Sequence, residues 1–287
     1  MPLRPYTPHD SLALATITAA CNLTDPLARY CRHINRDEYQ HQQTADHNNG
    51  DDDIQWKAHI KSLRKSFEFE MLLPGTVCWV VYVHDHNQSV DDANDEGIGG
   101  GEKVVGFAIW NRHGDSETAQ KWRVEGSKVS TRIKSMMSYI TMTLTYPFDT
   151  SINHTHMTNF QRRVRTAPSP LPSGQKLKLP RERWELEALY IAPDYQRRGY
   201  GMEALKWGLD VAREEGVDVW VWSSDSGKKV YEKGGFEAVG RIGFGDLLSD
   251  ATLTNKNNDD SVGDGDGDGD GEVAVWVMVW RARDHES

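Results

Sequence analysis

Strand-sized apolar runs alternate with helical stretches along this chain, and that alternation predicts an α/β fold around a mixed sheet. Three observations carry the expectation. Trp184–Ile191 is a strand, followed by a basic turn through Gln196, Arg197 and Arg198 and then by Gly199 and Gly201, which open a helix. That helix places Met202, Leu205, Leu209 and Ala212 on one face and stops at Gly216. Val217–Ser223, Phe236–Phe244 and Val273–Trp280 then supply further strands, with a short helix at Gly227–Lys233.

Upstream, Leu3-Arg4-Pro5 reads as a first strand, and Asp10 or Ser11 caps a helix over Ser11–Ala20. Arg36–Asp53 is polar and forms a break before a helix over Ile54–Phe69. Val77–His84 and Lys103–Trp110 are the arms of a hairpin with a long acidic, Gly-rich tip at Asn87–Gly101. Arg112–Tyr146 is largely helix-compatible but ambiguous around Met136–Tyr146, and Thr166–Pro180, with four prolines, reads as loop.

Composition narrows the function classes. Of the net charge of −10, a net of −8 lies in Asp246–Glu272, so the rest of the chain is close to neutral. With no long basic stripe, nucleic acid is not an expected partner. No apolar run reaches spanning length and Met1–Pro5 lacks a leader's apolar core, so no membrane partner is expected and the cytoplasm, or the nucleus, is the expected compartment. Cys21, Cys31 and Cys78 have neither metal nor disulfide spacing, which fits a reducing compartment and no bound metal. The Asp-Gly repeat at Asp264–Gly271 fills the early places of a calcium loop, but the place that needs a bidentate Glu falls on Val275.

The glycines at 199 and 201 let a ligand approach the backbone, and the free N–H groups of a helix start favour an anion. Arg197 and Arg198 add positive charge, so this turn suits a pyrophosphate. Gly199-x-Gly201-x-x-Ala204 also fits a dinucleotide fingerprint. However, a seven-residue turn separates Ile191 from its first glycine, and no acid ends the next strand.

Gln196-Arg197-Arg198-Gly199-Tyr200-Gly201 resembles the Q/R-x-x-G-x-G/A signature of the GNAT superfamily of acetyl-CoA-dependent N-acetyltransferases. Tyr231-Glu232-Lys233-Gly234-Gly235-Phe236 resembles the family's late tyrosine motif. The resemblance is clear over residues 183–245. It implies a single domain over 1–287: a mixed, mostly antiparallel sheet flanked by helices, with large β3–β4 (111–180) and β6–β7 (246–272) insertions.

It also implies acetyl-CoA as co-substrate and a small-molecule or protein amine as acceptor, attacked directly in a ternary complex. The cofactor-binding positions it implies are Leu189, Tyr190, Ile191, Gln196, Arg197, Arg198, Gly199, Tyr200, Gly201, Met202 and Ser224. Ser224 stands where many members have Asn. The base falls on Glu185, or on Glu187 one pleat nearer the thioester. Strand alternation puts both on one face with Leu189 and Ile191. Tyr231 matches the tyrosine that protonates the leaving thiolate, and an N–H near Leu189 or Tyr190 matches the oxyanion donor. The alternative to a transferase is a GNAT-fold protein that binds acyl-CoA without transfer, and after it a dinucleotide-dependent oxidoreductase.

Overall fold

The computed structural model describes residues 2–33, 50–84, 101–166, 177–245 and 273–282. In chain order the elements are β1 (Leu3–Pro5), α1 (Ser11–Asn22), α2 (Pro26–Cys31), α3 (Gly50–Glu70), β2 (Thr76–His84) and β3 (Glu102–His113). Then come α4 (Glu117–Ser127), α5 (Val129–Thr145), α6 (His154–Thr166), β4 (Arg183–Ile191) and α7 (Tyr200–Glu215). β5 (Val219–Ser224), α8 (Asp225–Lys233), β6 (Glu237–Gly243) and β7 (Ala274–Trp280) complete the chain.

The seven strands form one sheet in the order β1-β2-β3-β4-β5-β7-β6. All neighbours are antiparallel except β4 and β5. β3 is buried almost without interruption because both faces of the sheet are covered. Ala108 and Trp110 join the core that contains Leu205 and Leu209 of α7, while Phe107 and Ile109 join the core that contains Leu14 of α1 and Phe67 of α3. Helix α7 lies close on the sheet because it has no side chain at position 208; a Cβ there would run into the Trp110 ring.

The mixed α/β architecture expected from the sequence is the one observed, and several boundaries move. α3 begins at Gly50, four residues ahead of the expected start at Ile54. Asp10 is the N-cap residue of α1, as expected, but its side chain makes no cap bond: the carboxylate accepts from the Thr7 N–H at 2.8 Å and from both terminal nitrogens of Arg4 at 2.8 Å. The segment expected to be helical from Arg112 begins as strand, since β3 runs on to His113. α6 has no counterpart among the sequence expectations, because Met157, Phe160 and Val164 are diluted by polar neighbours. The expectations for the tip 87–100 and the insert 246–272 lie outside the described residues, as do those for most of the break at 36–53 and most of the loop at 166–180.

One buried charge ties the β3–β4 insertion to the core. The fully buried Arg112 guanidinium meets Glu215 of α7 at 2.7 Å and Glu182 at 2.9 Å. Trp122 of α4 donates to Glu215 at 2.7 Å and Trp184 at 3.3 Å. Glu182 also accepts from Ser116, the first cause that brings its carboxyl down to about 2.

Candidate active site

β4 and β5 pair only over Trp184–Leu186 and Val219–Val221. Beyond that point β4 continues to Ile191 and β5 to Ser224, so the parallel pair opens into a wedge. The β5-facing main-chain groups of Leu189–Ile191 are thus free of a β5 partner.

The wedge begins at an irregularity in β4. Ile109 of β3 faces Ala188 whereas its neighbour Trp110 faces Leu186, leaving Glu187 as the extra residue of a bulge. A bulge resets the alternation of faces, and this corrects the expected grouping. Trp184, Leu186, Leu189 and Ile191 all belong to the α7 core, while Ala188 and Tyr190 belong to the α1–α3 core. Glu185 alternates with Trp184 and Leu186, so it lies opposite Leu189 and Ile191 rather than beside them.

The two glutamates differ in environment. Glu185 lies 3.1 Å from His113 Nε2 and accepts from Arg183 at 3.1 Å. His113, then the Arg183 charge, hold its carboxyl below the usual range against burial. Burial first, then the nearby Glu185 charge, push Glu187 upward, with partial offsets from His113 and the Asn111 amide. Thr76 donates to the Asn111 carbonyl oxygen at 2.8 Å, which turns the amide nitrogen to other partners. Burial and Glu187 also lift Glu70, at the end of α3, to about 7.

At the wide end of the wedge stands the N-terminus of α7. Gly199 is left-handed at φ 89°, and Arg197, at φ 61°, is the one left-handed non-glycine among the described residues. The first bond into the helix is Glu203 N–H to Gly199 oxygen at 3.2 Å, which leaves the Tyr200, Gly201 and Met202 N–H groups without intrahelical acceptors. Space lies in front of them: a Cβ built on Gly199 meets nothing within 4 Å, and one on Gly201 meets only Ile191 at 3.8 Å. Gln196 braces the turn, donating to the Ile191 carbonyl at 3.0 Å. Arg198 lies over the Tyr195 ring at 5.2 Å with Lys103 at 5.4 Å.

From β5's side, Ser224 caps α8 and accepts from the Gly227 N–H at 3.4 Å. Tyr231 of α8 is buried against Phe236, with ring centroids 5.6 Å apart. Burial, then Tyr190 across the wedge, raise its phenol above the ordinary value, so it remains a proton donor at neutral pH. The residues that sequence reasoning missed are Glu70, Thr76, Asn111, His113 and Arg183. Strand register brings Asn111 opposite Glu185 and His113 opposite Arg183, and no local motif announces that.

Residues 167–236 match the acetyltransferase (GNAT) family model. An acetyltransferase of the fungus Stachybotrys chartarum is 40% identical over 52 residues, which is 18% of this chain and 23% of that protein. The match thus spans about a quarter of the length of that curated relative. Among solved structures, an acetyltransferase from Salmonella typhimurium with its cofactor acetyl-CoA superposes at TM-score 0.37 and 13% identity, over 100% of this chain and 96% of that one. The polyamine N-acetyltransferase of Drosophila melanogaster superposes at TM-score 0.39 and 14% identity, over 98% and 99% of the two chains. The likeness rests on the matched segment, which holds the turn, the helix α7 and the tyrosine, and not on these superpositions. Residues 167–236 are a segment of the acetyltransferase (GNAT) type.

Proposed function

We propose that this chain transfers an acetyl group from acetyl-CoA to an amine by direct attack in a ternary complex. The observation that carries this reading is the uncapped start of α7 facing a wedge in the sheet, with Glu187 on one wall and Tyr231 on the other. The open space at Gly199 and Gly201 fits a pyrophosphate held by the Tyr200, Gly201 and Met202 N–H groups. Arg197 and Arg198 add charge around it. The free β4 edge at Leu189, Tyr190 and Ile191 suits an extended pantetheine arm, with Ser224 facing it from β5.

When bound, acetyl-CoA supplies an activated acyl carbon and a thiol leaving group. An N–H near Leu189 or Tyr190 meets the charge that develops on the carbonyl oxygen. Glu187 takes the proton from the acceptor's ammonium, as the C–N bond forms and the C–S bond breaks, and Tyr231 gives its proton to the departing sulfur. Glu187 is the better base of the two candidates. Its carboxyl is raised while Glu185 is held down by His113 and Arg183, and a raised pKa makes a stronger base.

Direct attack also fits the thiols. Burial lifts Cys21 to about 11 and its S–H donates to the Ile191 carbonyl at 3.4 Å, while Cys31 likewise reaches about 11. Neither is a thiolate ready to carry an acyl group at neutral pH.

The test is the full chain with acetyl-CoA and a panel of amines, following thiol release and acceptor mass. Glu187→Gln should lower turnover and remove the rising limb of its pH profile, with Glu185→Gln changing it less. Gly201→Val should leave the melting temperature unchanged, because its Cβ enters open space, while calorimetric affinity for CoA collapses. Unchanged affinity in that variant would remove the pyrophosphate from this turn.

A further inference from the structure

Helix α5 is the most exposed apolar element of the described chain. It has no buried residue. Val129 is 73% exposed, Ile133 53%, Met136 56%, Met137 56%, Ile140 43% and Leu144 67%. At about 100° per residue these six fall within an arc about 100° wide. Ser130, Lys134, Ser138, Thr141 and Thr145 line the flank beside it. On the other flank Arg132, Ser135 and Tyr139, with Met136 at the edge of the arc, meet the body around a cavity of 330 Å³ lined also by Phe69, Leu72 and Pro74. Just beyond its C-terminus Phe148 is 82% exposed.

The charge of this region runs against that of the chain. From Gly126 to Thr166 there are six basic residues, Lys128, Arg132, Lys134, Arg162, Arg163 and Arg165, and one acid, Asp149. That is a net of +5 inside a chain of −10. The acidic excess lies elsewhere in the sequence, −8 of it in Asp246–Glu272.

We propose that α5 and the adjoining Phe148 seat this protein on an anionic lipid surface, with the apolar arc in the interface and the basic residues among the headgroups. A convex ridge of Val, Ile, Met and Leu beside a Ser/Thr/Lys face, followed by a protruding aromatic, is the form of helix that lies in a membrane plane. The charge decides between occupants. Two copies of a segment of net +5 repel, whereas an acidic leaflet attracts it within a Debye length. The sequence expectation of no membrane partner rested on the lack of a spanning segment, and no helix of the described residues is long and apolar enough to cross a membrane. Lying on the surface requires none.

The test is co-sedimentation of the full chain with vesicles of phosphatidylcholine, with and without phosphatidylserine. Binding is expected only with phosphatidylserine, and should fall steeply with salt. Ile133→Asp with Ile140→Asp should lower the bound fraction about tenfold or more at an unchanged melting temperature, since both side chains are exposed; Lys134→Glu should weaken it less. Three results would overturn the proposal. One is no binding to either vesicle. Another is equal binding by the double variant. The third is a dimer in light scattering that the double variant abolishes, or a soluble polyglutamate chain that binds as tightly as the vesicles; either identifies the face as a protein interface.

Discussion

Two stretches of this molecule, β4 through α8 and the insertion helices α5 and α6, are about equally rich in secondary structure and opposite in how it is held. Trp184, Leu205 and Val219 are fully buried, and Leu186 and Val221 nearly so, whereas α5 and α6 have no buried residue. The first stretch is fixed from two sides at once: packing dictates its apolar positions, and the wedge dictates its bulge, glycines and tyrosine. The second is fixed at a few points only. They include the Phe69–Tyr139 contact at 6.2 Å, the Arg32–Ile152 bridge, the Tyr30–His156 stack at 4.2 Å and the Phe160–Phe244 stack at 5.2 Å. Between those points its sequence is free to serve a surface.

The comparison breaks first if a buried core residue of the first stretch has no chemical role. Tyr231→Phe keeps the ring against Phe236 and removes only the hydroxyl. Turnover is expected to fall about 10²–10⁴-fold, with CoA affinity by calorimetry unchanged. Full turnover on an acceptor whose chemical step limits the rate would make Tyr231 a packing residue only.

The next largest effect lies where the two stretches are joined. Arg112→Met leaves the Glu215 carboxylate partly buried beside two indole donors with no cation. Removing one partner of a buried pair costs about 3–5 kcal/mol, so chemical denaturation should register a loss of that order. Glu215→Gln should cost less, because Arg112 keeps its pair with Glu182 at 2.9 Å. A loss below about 1 kcal/mol would mean that water reaches this centre and the insertion is tethered by its helices alone.

The same contrast governs what was legible in the sequence. The turn from Gln196 to Gly201 announces itself because its chemistry is local: glycines, a basic pair and a helix start fall within a few residues. The bulge at Glu187 does not, since it exists only in the register with β3, and nothing in Glu-Leu-Glu-Ala-Leu tells which residue is the extra one. Strict alternation therefore grouped the glutamates with Leu189 and Ile191, and the reset of faces undid that grouping. Glu70, Asn111 and His113 reach the site by long-range pairing and carried no signal. In the insertion, helix α5 was readable as helix-compatible, but nothing in its pattern says whether its apolar arc meets the core or the outside.

A smaller effect concerns Glu70, whose carboxyl stands at about 7 against an ordinary 4.5. Between those values the folded chain holds more protons than the unfolded one, so the group's contribution is present below about pH 4.5 and is lost as pH rises through about 7. Glu70→Gln mimics the protonated form. Above about pH 8 it should be more stable than the parent by about 1–2 kcal/mol, with the difference vanishing in mild acid. Parallel stability curves for the two proteins would mean that burial does not raise the Glu70 carboxyl.

The smallest effect tests the insertion itself. Ile140 is 43% exposed in α5, so folding removes only part of its surface from water, and no buried neighbour collapses when it changes. Ile140→Ser should therefore alter stability by less than about 0.5 kcal/mol, the range of surface substitutions remote from special features. Leu186→Ala, with Leu186 2% exposed between β3 and β5, should cost about 2–5 kcal/mol by the same urea titration. A loss above about 1.5 kcal/mol for Ile140→Ser would show that its side chain is covered in the protein alone. The apolar arc would then be part of a core, and the difference between the two stretches would be one of depth rather than of kind.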